Sequence, residues 1–143
     1  MIFSIPFEYC VSKGAKKTKW SGNRVALSDR YRNAKHNAHM TALVQAREVG
    51  WKPIPKGTGV VVKFFVHFPS GVQRDPINYT ECLLDALEGV AYDNDSQVID
   101  SEVHFEGYDK ENPRIVVGVN EANRPIPLPP SRQPKSRRQP KVQ

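Results

Sequence analysis

The chain has 143 residues, 21 Lys and Arg against 15 Asp and Glu, a formal net charge of +6 and 38% hydrophobic residues. That length suits one compact domain with a modest core, and no apolar run approaches the roughly 18 residues needed to cross a bilayer. Two cysteines, Cys10 and Cys82, are too few for a disulfide framework or a cysteine-based zinc site, and the N-terminus carries neither a basic leader nor a long apolar run, so a cytoplasmic protein without membrane partners is expected.

Residues 2–7 form a short apolar run that Pro6 confines to a sheet edge or a strand end. Residues 8–27 are polar and basic around Trp20, Gly14 and Gly22, which predicts an exposed loop or a ragged hairpin. Ser28 is an N-cap for a helix from Asp29 to about Val49, closed by Gly50. Residues 59–68 alternate, with Val60, Val62, Phe64, Val66 and Phe68 on one side of a strand and Val61, Lys63, Phe65 and His67 on the other. A second helix is expected after Asp75, with Pro76 in its first turn and Tyr79, Cys82, Leu83, Ala86 and Leu87 as its buried stripe. Gly89 ends it, and a turn through Asp93, Asn94 and Asp95 leads into a strand near 97–108. A turn at 110–113 then gives a last strand at 114–120. The order β-α-β-α-β-β describes an α+β domain over residues 1–120, with a small mixed, partly antiparallel sheet and two helices. Residues 121–143 hold six of the twelve prolines and six Lys and Arg, with no aromatic residue, the composition of a disordered basic tail.

The charge is unevenly placed. Residues 1–50 carry nine Lys and Arg against three acids, residues 51–123 six against twelve, and residues 124–143 six against none. Such asymmetry points to a polyanion met by basic segments, with a separate acidic locus. Eleven acids fall between Asp75 and Glu111, with Lys110 the only basic residue there. Asp75 ends a loop that leaves a strand, and Asp93 and Asp95 follow the helix. These three would converge if that helix packed antiparallel to the next strand. Carboxylates so close repel unless a cation neutralises them, and hard oxygen ligands suit Mg²⁺, the ion for phosphodiester hydrolysis. The plainer alternative makes Asp75 a helix cap and Asp93-Asn94-Asp95 a turn.

Three blocks narrow this choice: Arg74-Asp75-Pro76-Ile77-Asn78-Tyr79, Leu84-Asp85-Ala86-Leu87-Glu88-Gly89-Val90, and Asp93-Asn94-Asp95-Ser96-Gln97-Val98. In this order and spacing they resemble the D-x-D-N, D-A-L-x-G and D-D-x-Q-V blocks of the RusA family of Holliday-junction resolvases. The resemblance implies a homodimeric, Mg²⁺-dependent endodeoxyribonuclease of recombination and repair. It would nick four-way DNA junctions at symmetric positions in a bacterial cell, with phage or prophage encoding as the variant. It assigns Asp75 and Asp95 as catalytic metal ligands and Asn78 as a supporting catalytic residue. Asp85, Asp93 and Glu81 are reserve oxygen donors. Arg74 and the basic segment Lys13, Lys16, Lys17, Lys19 and Arg24, with Trp20 and Tyr31 interleaved, face DNA.

Two positions depart from the family pattern. Ile77 stands where the family has its second acid, and Glu81 where it has a lysine. These departures define the alternative: a junction-binding protein of the same fold with impaired cleavage. A basic RNA- or ribosome-binding module would require the three-block match to be chance. His36 and His39 stand three residues apart without an acid beside them, as surface residues do. No Walker loop or dinucleotide fingerprint is present, so no nucleotide cofactor is expected.

Overall fold

The computed structural model describes residues 1–21 and 24–127, and leaves the side chains of residues 17–26 outside that description. The part of the expected tail at residues 128–143 also lies outside the described residues. The strands are β1 (Ile2–Pro6), β2 (Lys17–Ser21), β3 (Arg24–Leu27), β4 (Val60–Phe68), β5 (Val98–Tyr108) and β6 (Arg114–Glu121). The helices are α1 (Asp29–Val49) and α2 (Thr80–Leu87).

Helix α1 starts and stops where local chemistry dictates. The Tyr31 backbone N–H donates to Ser28 Oγ at 3.1 Å, and Gly50 closes the helix at φ 70°, a conformation that favours glycine. Ser28 is buried, and its hydroxyl donates in turn to the Ala15 carbonyl, tying the helix start to the preceding segment. We expect Ser28→Ala to lower stability by about 1–2 kcal/mol, read as a shifted urea midpoint with an unchanged slope. The inner face of α1 is Tyr31, Ala34, Ala38, Ala42 and Ala46, whose small side chains let the helix approach its neighbours closely.

The main sheet has the order β1-β6-β4-β5, in which β6 is antiparallel to both β1 and β4, and β4 is parallel to β5. Val60, Val62, Phe64, Val66 and Phe68 of β4, with Phe3, Ile5, Ile115, Val117 and Val119, make a buried face against Ala38, Ala42, Ala46, Leu83, Ala86 and Leu87 of the helices. The opposite face carries the exposed Lys63. Strand β5 is a largely exposed edge, so its alternation marks faces without burying one.

The structure differs from the expected element order in two places. Strands β2 and β3 pair antiparallel with an irregular register, the ragged hairpin that the sequence allowed as the alternative to a loop, and they add two strands to the expected order. Residues after Asp75 first make a 3₁₀ turn, Pro76–Tyr79, before α2 begins. Asp75 caps that turn by accepting from the Ile77 N–H at 3.1 Å, and Pro76 presets its first residue.

Candidate active site

Strands β4 and β5 are parallel, with Val60 opposite Val98 and Phe68 opposite Tyr108, so β4-α2-β5 is a crossover unit. Asp75 follows the end of β4, where Phe68, Val72, Arg74, Pro76, Phe105 and Tyr108 line a small cleft of about 120 Å³. Its carboxylate is exposed, and no Lys or Arg among the described residues pairs with it. Arg74 is held differently. Its guanidinium lies over the rings of Phe7 and Phe68, at 5.4 and 5.5 Å, and donates to the Ser70 and Val72 carbonyls at 3.3 and 3.4 Å.

Asp95 sits at the other end of α2. The backbone N–H of Asn94 donates to Gln97 Oε1 at 2.8 Å, and Asn94 Oδ1 accepts from the Ser96 N–H, so the turn is a closed capping box. Gln97 is buried, and its amide nitrogen faces the carbonyls of Ile54, Pro55 and Thr58 at 2.8–3.1 Å. The glutamine of the third sequence block is therefore a structural latch that holds Asp95 outward. Asn94 and Asp93 are engaged in the same framework, since Asp93 Oδ2 accepts from the Lys56 N–H at 3.0 Å. Asp95 itself is exposed and has no ion-pair partner among the described residues.

A parallel crossover places the start of its helix and the turn after it at opposite ends. The 3₁₀ turn and α2 together span about 20 Å, far beyond the reach of two ligands on one ion. The expected convergence of Asp75 with Asp93 and Asp95 thus does not occur within one chain. Among the described residues, no group of three or more His, Cys, Asp and Glu is placed to hold a metal ion. The described residues of one chain therefore do not by themselves assemble a Mg²⁺ site.

The reserve donors are occupied. Lys16 Nζ pairs with Glu81 and lies 3.9 Å from Asp85, while the Tyr31 hydroxyl donates to Asp85 at 2.5 Å. The hydrogen bond to Glu81, with the nearby acids adding to it, raises the Lys16 pKa. Burial and then the Asp85 bond push the Tyr31 hydroxyl well above the usual tyrosine range. Glu81, the departure from the family lysine, is thus matched by a lysine delivered from residue 16. Ile77, the other departure, is 63% exposed and offers no oxygen. Asn78 is half-buried in the 3₁₀ turn, and Lys13 is exposed before β2. The side chains of Lys17, Lys19 and Arg24 lie outside the described residues.

Two features went unread in the sequence. Burial and then the charges of Asp95, Glu88 and Asp85 raise the pKa of the Tyr92 hydroxyl, so Glu88 adds to the acidic surroundings of Tyr92. The signal for it was the acid at the variable position of the D-A-L-x-G block. His36 and His39 share a cleft with Arg32 and Lys35, which the i, i+3, i+4, i+7 spacing on α1 could have revealed.

Both thiols are buried. Burial pushes Cys82 up to about 11 and Cys10 higher still. We expect neither to react appreciably with iodoacetamide at pH 8 until the protein unfolds. Rapid labelling of the native protein would contradict this packing.

No curated protein matches the chain. The family model described as endodeoxyribonuclease RusA matches residues 6–120, from the end of β1 into β6 and across all three motif blocks. A fold that displays Asp75 and Asp95 at the two ends of α2 is, on that match, a member of the RusA endodeoxyribonuclease family.

Proposed function

We propose that the protein is a homodimeric, Mg²⁺-dependent endonuclease that resolves four-way DNA junctions by paired symmetric nicks. The observation that carries this reading is the state of the acids around α2. Glu81 and Asp85 are tied up by Lys16 and Tyr31, whereas Asp75, Asp93 and Asp95 are exposed without an ion-pair partner among the described residues. Of those three, Asp75 and Asp95 are the acids that the family motif selects.

Their separation calls for a second chain. A two-fold axis across α2 reverses the helix, so that Asp95 of one protomer approaches Asp75 of its partner and the same operation makes an identical second site. Two such sites match the two-fold symmetry of the junction. Paired carboxylates at ligand distance repel each other unless neutralised, and their hard oxygens suit Mg²⁺. The Lys and Arg of residues 128–143 add affinity for the phosphate backbone that weakens as salt rises.

The test is a labelled synthetic four-way junction incubated with the protein, with Mg²⁺ or with EDTA. Symmetric paired nicks in Mg²⁺ alone are the expected result. Salt-sensitive binding without nicks at any Mg²⁺ concentration would overturn the nuclease reading. It would favour the junction-binding alternative, to which the exposed Ile77 lends support.

A further inference from the structure

Along α1, Arg32, Lys35, His36 and His39 stand at i, i+3, i+4 and i+7, on a strip beside the buried stripe of Tyr31, Ala34 and Ala38, with Arg32 and His36 exposed and Lys35 and His39 half-buried. With Leu27 from the end of β3 they line a cleft of about 320 Å³ whose lining includes no acid. The cleft is fixed to the rest of the fold, because His39 Nδ1 meets the Ala86 carbonyl at 2.8 Å in the last turn of α2. The hairpin that runs into it carries Lys17, Lys19 and Arg24 in its sequence.

One acid stands nearby. Asp29 accepts from Arg32, but that pair is well exposed, and exposed pairs of this kind are weak enough for a phosphate to displace. The cleft therefore presents positive charge beside the helix end that leads to Asp95, and the carboxylates of α2 lie to one side of it.

We infer that this cleft is a phosphate-binding site, separate from the cleavage carboxylates, that seats the backbone of a duplex arm of the bound DNA. The inference rests on the DNA reading above and adds to it the place where an arm is held. Arg32 and Lys35 supply the charge and the imidazole of His36 an N–H donor to a phosphate oxygen, while His39, whose Nδ1–H is given to the Ala86 carbonyl, fixes the floor of the cleft. Contacts of this kind fix orientation on the duplex without reading sequence.

The salt dependence of junction affinity tests it. The full chain is titrated onto a four-way junction from about 50 to 200 mM salt, as wild type, as the double variant Arg32→Gln/Lys35→Gln, and as Lys63→Gln. Lys63 is a cation on the opposite face of the sheet. Thermal melts establish that each variant is folded. The double variant should lower the slope of log affinity against log salt by about 2 and weaken binding about tenfold at 100 mM, equally for unrelated arm sequences. Lys63→Gln should leave the slope unchanged. Wild-type binding with an unaltered slope in the double variant would overturn this site alone, as would an equal loss in Lys63→Gln. A wild-type protein that binds no DNA would overturn the DNA reading and this site with it.

Discussion

Asp75→Asn and Asp95→Asn should each reduce junction nicking by about three orders of magnitude while leaving junction affinity intact. The substitution keeps size and shape and removes one negative charge. Metal-assisted hydrolysis depends on such charge by several kcal/mol, and each 1.36 kcal/mol is a factor of ten in rate. Neither carboxylate contributes much to the fold. Asp75 makes one bond, to the Ile77 N–H, which asparagine preserves through its own Oδ1, and Asp95 has no ion-pair partner among the described residues. A matched loss of rate in both variants, with unchanged melting, is therefore expected from single-turnover assays. Loss at one position only would leave the other as a turn residue. Asp85→Asn provides the contrast, because its carboxylate is bound to Tyr31 and flanked by Lys16, and it should act chiefly on stability.

The second large effect belongs to Gln97. Replacing it with leucine keeps the bulk and removes both polar ends. It strands the part-buried Asn94 N–H and Thr58 carbonyl, and takes one of two donors from the carbonyls of Ile54 and Pro55, which keep the N–H groups of Asp93 and Thr58. Unsatisfied buried groups cost roughly 1–3 kcal/mol each, so a loss of about 3 kcal/mol is expected, near 12 °C in melting temperature for a domain of this size. Gln97→Glu sharpens the test. A carboxylate facing three carbonyls is raised in pKa in the folded state. The folded protein then holds its proton over a window where the unfolded chain has released it, and stability falls as pH rises through that window from about 4.3. A melting temperature that rises with pH in that variant would contradict the latch.

Much of the fold was legible because it follows from local chemistry. The bounds of α1 are those of its Ser28 cap and Gly50 stop, and the alternation of β4 names the side chains that the structure buries. The hairpin of β2 and β3 is one of the two readings that the basic segment 8–27 allows, and only its cross-strand pairing, which answers to no hydrophobic period, decides between them. The residues of the candidate site came from motif order and spacing. The conditional convergence of Asp75 with Asp93 and Asp95 is not formed among the described residues of one chain. Strand β4 pairs with β5 in parallel, so α2 runs antiparallel to both, and its start and the turn after it lie at opposite ends. Antiparallel packing of helix and strand therefore separates Asp75 from Asp95 in one chain, and the direction of that pairing is set by no residue near either carboxylate. Gln97 was read as a motif letter, and only its three carbonyl partners, more than 35 residues away in sequence, give it a physical role.

In the proposed dimer each cleavage site takes Asp75 from one protomer and Asp95 from its partner. Heterodimers of differently tagged chains put this sharing to the test, with single-strand nicks on a labelled junction as the readout. A heterodimer of Asp75→Asn with Asp95→Asn should nick one strand, because one of its two shared sites has both carboxylates. A heterodimer of wild type with the double variant Asp75→Asn/Asp95→Asn should be inactive, because each shared site lacks one. The reverse pattern, an inactive first heterodimer and an active second, would mean that each chain carries a complete site and would contradict the separation of Asp75 and Asp95 across α2.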